Sequence, residues 1–252
     1  MTVEWTDWKP FYLDIVRRLD LDIQADMKAT KILDELLESL DRNDTVLVSQ
    51  MTAYLQGRTA IVFGAGPSLD RDISTTIDSR IMQRCTIIAA DGALEALRAR
   101  GLRCHIVVTD LDGDRGGLQE YVNDRGTLAV IHAHGDNISS IKTVVPRLTK
   151  VIGTTQVQPT ERVHLWGGFT DGDRACYMAA SFGASTIILA GMDFGDVVGR
   201  WSKPQYTDNR PANQRKKLKL AIGASLLDAL RKREPELTMI SVQVAASKTT
   251  AL

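Results

Sequence analysis

Two short acidic segments in this chain have the spacing that divalent-metal and phosphate chemistry needs. The apolar run Thr86–Ala90 ends in Asp91-Gly92, and a second run, His105–Thr109, ends in Asp110-Leu111-Asp112-Gly113-Asp114. A helix-like stretch to Gly101 separates them. This reads as a strand–helix–strand unit with carboxylates at the C-terminal ends of both strands, the edge at which open α/β sheets bind ligands. Residues two apart in an extended chain project to the same side, so Asp110 and Asp112 can share one hard cation. Acids gathered without partners repel one another, and Mg²⁺ carrying phosphates is the usual resolution. Asp91 reads as a further ligand. Asp114 is explained as an acid at a helix N-terminus.

Other segments supply groups that such a site would use. Gly64-Ala65-Gly66-Pro67-Ser68 lies between a strand and a helix, where glycine lets backbone N–H groups approach a phosphate. It has neither the Lys-Ser/Thr of a Walker A loop nor the third glycine of a dinucleotide fingerprint. A tight turn with Ser68 near the helix cap is the plain alternative. His132-Ala133-His134-Gly135-Asp136-Asn137 offers a His-x-His pair for zinc, but no thiolate or third histidine is near. A phosphate or substrate contact from His132, His134 or Asp136 is the preferred reading, and Asp136-Asn137 also suit a helix cap.

In Gly167-Gly168-Phe169-Thr170-Asp171-Gly172-Asp173-Arg174 the Thr170/Asp173 pair is close to a capping box. Phe169 can stack on a flat ring, and Arg174 can contact a phosphate. Asp193, just beyond another apolar run, needs donors if buried, and a heterocycle with an amino group beside a ring N–H would supply them. Arg210, Arg215, Lys216, Lys217 and Lys219 are either a solvated helix face or the seat of a triphosphate, since cations near a helix N-terminus oppose its dipole.

The elements that must position these groups alternate along the chain. Strand-like runs at 59–63, 86–90, 105–109, 128–132, 150–152, 186–190 and 238–242 are separated by helical stretches at about 69–80, 92–100, 114–125, 137–147, 171–183 and 211–233. The expected fold is α/β, a mostly parallel open sheet with helices on both faces. Residues 1–57 read as an N-terminal helical layer and 58–252 as the α/β catalytic domain, together one compact unit. In that layer Pro10 suits a first helical turn, and Phe11, Ile15, Val16 and Leu19 recur at helical spacing. Trp5 and Trp8 read as core, with packing on a partner subunit as the alternative. Residues 192–212 are irregular and suit a lid or binding loop.

The 252 residues carry 31 basic and 31 acidic side chains, so nothing favours nucleic acid or a membrane surface as partner. Cys85, Cys104 and Cys176 are scattered, as reduced thiols in a cytoplasmic protein are. The N-terminus is too charged for a signal peptide, and no apolar run reaches the ~18 residues of a membrane span. Apolar N-terminal helices and four tryptophans suit a homodimer.

In their order, the segments FGAGPSL, AADGA, VTDLDG, HAHGDN, GGFTDGDRA and LAGMDFG resemble the archaeal MptE-type 6-hydroxymethyl-7,8-dihydropterin pyrophosphokinases. The match runs from about Asp22 to Lys219. Ala90-Asp91-Gly92 followed by Asp110-Leu111-Asp112 also resembles the catalytic-domain motifs of thiamine pyrophosphokinases. The segment from Thr207 onward, largely helical in pattern, cannot supply the C-terminal β-sandwich of those enzymes.

The resemblance implies Mg²⁺-dependent transfer of diphosphate from ATP to the pterin hydroxymethyl, with release of AMP, on the way to a folate- or methanopterin-type carrier in an archaeon. The expected roles place Mg²⁺ on Asp110 and Asp112, with Asp91 as a further or water-mediated ligand. Gly64, Ala65, Gly66, Pro67, Ser68, Arg174, Lys216 and Lys217 would hold phosphate, and Phe169, Asp173 and Asp193 the pterin. Asp136 or His134 would orient the hydroxyl and take its proton. Two other readings stay open: a glycosyltransferase-like enzyme using a nucleotide sugar, and a nucleotide-binding regulator without chemistry.

Overall fold

A computed structural model describes residues 3–40 and 44–249. The apolar runs form the strands β1 (Thr59–Phe63), β2 (Thr86–Ala90), β3 (Ile106–Thr109), β4 (Leu128–Ala133) and β5 (Val151–Thr155). They are followed by β6 (Val163–His164), β7 (Thr186–Ala190), the short pair β8 (Val197–Val198) and β9 (Arg210–Pro211), and β10 (Thr238–Ser241). One eight-stranded sheet has the order β10-β7-β1-β2-β3-β4-β5-β6, and every pair in it is parallel. Parallel strands are covered on both faces and so read as continuous apolar runs. β2, β3, β4 and β5 are buried throughout.

The helices are α1 (Trp5–Leu19), α2 (Ile23–Ser39), α3 (Asp44–Leu55), α4 (Leu69–Asp78), α5 (Ala93–Arg98), α6 (Arg115–Gln119), α7 (Ile138–Val144), α8 (Asp171–Ser181), α9 (Gln214–Arg233) and α10 (Val242–Thr249). Alternate strand residues face opposite sides, and the core divides accordingly. Ile61 and Phe63 of β1 join one apolar cluster with α2, α4, α5, α7 and α10. Ala60 and Val62 join the other with α1, α3, α8 and α9. The first 57 residues are therefore divided, with α2 on one face and α1 and α3 on the other.

The mostly parallel α/β fold is the one expected, with local differences. Pro10 lies inside α1, which begins at Trp5, so the Thr6 carbonyl lacks its helical partner. The buried stripe of α1 is Trp8, Tyr12, Ile15 and Leu19, whereas Phe11 is 48% exposed and stacks on Trp8. β6, the β8–β9 pair and α10 are additional elements; two-residue strands are too short to show a period. No helix among the described residues is long and apolar enough to cross a membrane.

The chain starts in mid-sheet at β1, proceeds outward through β2 to β6, then returns to lay β7 on the opposite side of β1. The order therefore reverses between β1 and β7, and ligands of open α/β sheets bind outside the strand ends at such a point.

Candidate active site

A cleft of about 450 Å³ runs over the C-terminal ends of the strands. Asp91 follows β2, Asp110 follows β3, and Asp171 is the first residue of α8. Each offers one carboxylate oxygen, and these oxygens lie within 4.8 Å of one another. Asp91 has φ 42° and Leu111 φ 69°. Left-handed backbone at non-glycine residues costs energy and clusters at functional sites. Here it aims the chain: Thr109 Oγ1 donates to Asp91 Oδ1 at 2.6 Å and accepts from the Leu111 N–H at 2.9 Å. Asn137 Nδ2 donates to the carbonyls of Asp110 at 2.8 Å and His132 at 2.6 Å, tying the ends of β3 and β4 together.

Crowding among the acids shows in their proton affinities. Burial, then the charges of Asp110 and Asp112, pushes Asp91 up to about 8. Burial, then Asp110 and Asp91, holds Asp171 well above the carboxylate range. Burial also works against ionised Asp110, but the hydrogen bond and charge of His134, with Lys203 beyond, bring it below its ordinary value. Three carboxylates so placed require protons or a cation.

Opposite them stand cations. Lys203 pairs with Asp112. Lys216 and Lys219, on the first turns of α9, line the same cleft. Burial, then the neighbouring charges of Lys219 and Lys203, lowers Lys216.

The expected site residues divide into those the fold brings to the cleft and those it does not. Asp91, Asp110, Asp112, His134, Asp136, Phe169 and Lys216 line it. His134 Nε2 is 3.5 Å from Asp110 Oδ2, and Asp136 is exposed on the rim. His132 is buried against Arg174, 3.3 Å from its guanidinium. The group of acids above contains neither histidine, so a His-x-His zinc site finds no support.

Lys217 points away and pairs with Asp196 at 3.0 Å. Arg174 is fully buried beneath the cleft, donating to the Thr155 carbonyl at 3.1 Å. It serves the acids from below, and a phosphate cannot reach it. Asp173 is also fully buried and is taken up by the Phe169 N–H at 2.6 Å and the Thr170 N–H at 2.9 Å. It caps the turn into α8 and does not face a pterin.

The glycine loop also differs from expectation. The N–H groups of Gly64 and Gly66 bond to the carbonyls of Ala190 and Gly191, both at 2.8 Å. The Ser68 N–H donates to Asp193 at 2.9 Å. A Cβ at Gly64 would stand 2.6 Å from Met192 Sδ, and one at Gly66 would strike the Asp193 carboxylate. The glycines are thus required by the close approach of the β7 loop, and these three N–H groups are already used within the protein. Asp193 also lines the cleft, with its Oδ2 engaged by Ser68. Gly64, Ala65 and Gly66 still line the cleft, whereas Pro67 and Ser68 do not.

Two residues that the fold brings to the cleft were not distinguished by the sequence. Asp171 stands there within the segment 167–174 with no role of its own. Lys203 lies in the irregular stretch 192–212, which does border the cleft at Val197–Gly199 and Ser202–Lys203.

Fold and site together define a parallel α/β enzyme whose strand-end carboxylates face clustered lysines. The model of the 6-hydroxymethylpterin diphosphokinase MptE-like family matches residues 34–199. A 6-hydroxymethyl-7,8-dihydropterin pyrophosphokinase from Pyrococcus furiosus is 39% identical over 229 residues, 91% of this chain and 95% of that protein. The enzymes of that name from Methanocaldococcus jannaschii and Methanothermobacter thermautotrophicus are 36% and 38% identical, covering 91% and 89% of this chain and 96% and 94% of theirs. The chain belongs to the MptE-like 6-hydroxymethylpterin diphosphokinase family. Among solved structures, a Maf glycosyltransferase from Magnetospirillum magneticum is similar over 61% of this chain and 28% of its own, with 17% identity and a TM-score of 0.38.

Proposed function

We propose that this protein transfers diphosphate from ATP to the hydroxymethyl group of 6-hydroxymethyl-7,8-dihydropterin, with Mg²⁺ as cofactor, giving AMP and the pterin diphosphate for a folate- or methanopterin-type carrier. The relatives support the pterin acceptor. The observation that carries the reading is the set Asp91, Asp110 and Asp171 facing Lys203, Lys216 and Lys219 across one cleft. Three carboxylate oxygens within 4.8 Å are a hard donor set that fits Mg²⁺, which favours oxygen ligands and keeps several waters. When bound there, the ion would offset charge on the phosphate oxygens of donor and product.

The protein's own groups do the rest. The acceptor hydroxyl oxygen forms a bond to Pβ while the bond from Pβ to the oxygen bridging to Pα breaks, and AMP leaves with that oxygen. Lys203, Lys216 and Lys219 stabilise the charge on the transferred group. His134, beside Asp110, and Asp136, on the rim, orient the hydroxyl, and one of the two accepts its proton. A loose transition state asks little of a base. The lysines take the phosphate role first expected of the Gly64–Ser68 loop, whose glycines wall the cleft.

The test is incubation with ATP, Mg²⁺ and 6-hydroxymethyl-7,8-dihydropterin, followed by chromatography. AMP and pterin diphosphate formed in equal amounts support the reaction. ATP that binds and is never cleaved overturns it.

A further inference from the structure

The cleft has two unlike ends on either side of the acids. One lies at the switch point over β1 and β7, between Gly64 and Gly66 and the largely apolar Met192, Phe194, Val197 and Val198. The other lies over β4 and β5, where the turn joining α1 to α2 supplies Leu21 and Asp22 and the first turn of α2 supplies Ala25 and Asp26. Open α/β sheets hold nucleotides at the switch point; apart from Asp193, whose Oδ2 is taken by Ser68, the walls there are glycine, aliphatic and aromatic and make little demand on the edge of a base.

The β4–β5 end does make such a demand. Gln156 and His132 line it, at 3% and 4% exposure; Gln156 Oε1 and His132 Nδ1 make no hydrogen bond of good geometry, although the His132 ring stands within electrostatic reach of the Gln156 side chain and the Thr154 backbone. Buried polar atoms are ordinarily bonded. The Gln156 amide is held by its nitrogen, which donates to Asp26 Oδ2 at 2.7 Å, so its oxygen is the end left over. Asp26, 4% exposed, also accepts from the Tyr12 hydroxyl at 2.7 Å and the Gly135 N–H at 2.8 Å. Phe169 also lines the cleft, with Lys219 Nζ 5.8 Å from the centre of its ring, and offers a flat apolar surface. His134 and Asp136 stand between this end and the acids.

We infer that the α1–α2 turn, together with Gln156 and Phe169, forms the acceptor subsite and takes a flat heterocycle with adjacent amino and ring N–H donors. The N-terminal helices then set acceptor specificity, and the nucleotide occupies the switch-point end. This rests on the proposed function only for the identity of the acceptor. The polar edge of the ring enters beside Gln156, the ring lies against Phe169, and its hydroxymethyl group is presented past His134 toward the acids.

Equilibrium dialysis of 6-hydroxymethyl-7,8-dihydropterin and, separately, of ATP tests this on the intact protein and on Ala25→Phe and Gln156→Met. Thermal melting confirms that each variant is folded, and Gln156→Met decides the matter if Ala25→Phe is not. Both substitutions are expected to weaken pterin binding about tenfold or more, the scale of an unmet polar contact or a blocked pocket, with ATP binding unchanged. Pterin binding unaffected by either, or ATP binding weakened equally, overturns the assignment. A wild-type protein that binds the pterin in this way yet forms no AMP supports the subsite and overturns the reaction. One that does not bind the pterin overturns both.

Discussion

The Asp193 carboxylate accepts from both the N–H and the hydroxyl of Ser68, at 2.9 and 2.7 Å, and so joins the loop after β7 to the first turn of α4. An acid that follows a buried strand here serves the protein's own backbone at the switch point. Asp193→Ala removes a cap of this kind and is expected to lower stability by about 1 kcal/mol. Urea denaturation measures that loss. The KM for the pterin is expected to stay at the wild-type value, and a selective rise in it would return Asp193 to the acceptor.

Asp171 and Asp112 are expected to part company. Asp171→Asn takes away one of three converging carboxylates, and diphosphate transfer is expected to fall about 100-fold or more, with weaker Mn²⁺ binding by electron paramagnetic resonance. Asp112 is engaged with Lys203. Asp112→Asn is expected to cost about tenfold, mainly in the KM for ATP, because Lys203 loses the partner that holds it at the cleft.

Arg174 is a buried cation among Asp171, Asp173 and Asp110. Burial lowers its affinity for the proton to about 10, against the opposing pull of those acids. Removing one partner from a buried charge cluster costs about 3–5 kcal/mol, so Arg174→Met is expected to lower the free energy of unfolding in urea by that amount. Arg174→Lys is not expected to rescue it, since one planar guanidinium reaches both the Thr155 carbonyl and His132.

His105 makes stability fall in acid. Burial, then Arg103, lowers it from 6.5 to about 4, and its Nδ1 accepts the Ile87 N–H at 2.9 Å, which requires that nitrogen unprotonated. The unfolded chain therefore takes up this proton first. The folded protein is expected to keep its full stability above 6.5 and to lose part of it as pH falls from there toward 4. Thermal melts across that interval test the sign: His105→Asn should decline less steeply than wild type.

Burial raises all three thiols, Cys85 to about 11, Cys104 to about 12 and Cys176 further. Thiolates are the reactive form. Mass spectrometry after brief alkylation at neutral pH is expected to find the native protein unlabelled and the urea-unfolded protein labelled at all three cysteines.

Much of the fold was legible in the sequence, and the reason is local. Strands buried on both faces need unbroken apolar runs, so Thr59–Phe63, Thr86–Ala90 and Thr186–Ala190 have the same bounds in sequence and structure. Asp91 and Asp110 stood out because each acid closes such a run, and in a parallel sheet all strand ends of one sense share an edge. Asp22 caps α2 through the Gln24 and Ala25 N–H groups, a contact local in the chain. Asp26 carried a fainter signal, an acid at helical spacing with the buried Ala29 and Leu33.

Strand order, and the long-range partners it creates, belong to the tertiary structure alone. Nothing near Ser68 in the chain announces Asp193, and nothing near Asp112 announces Lys203. Asp171 joins Asp91 and Asp110 because α8 packs across β1, β2 and β3 with its N-terminus at their ends. Arg174 and Asp173, one turn into the same helix, fall below the cleft for the same reason. Local pattern determines which segments are strands and where their acids lie, since burial and backbone geometry act residue by residue. Which acids share a cation, which lysines oppose them and which glycines merely clear a neighbouring loop depend on contacts between distant segments, and only the folded chain decides those.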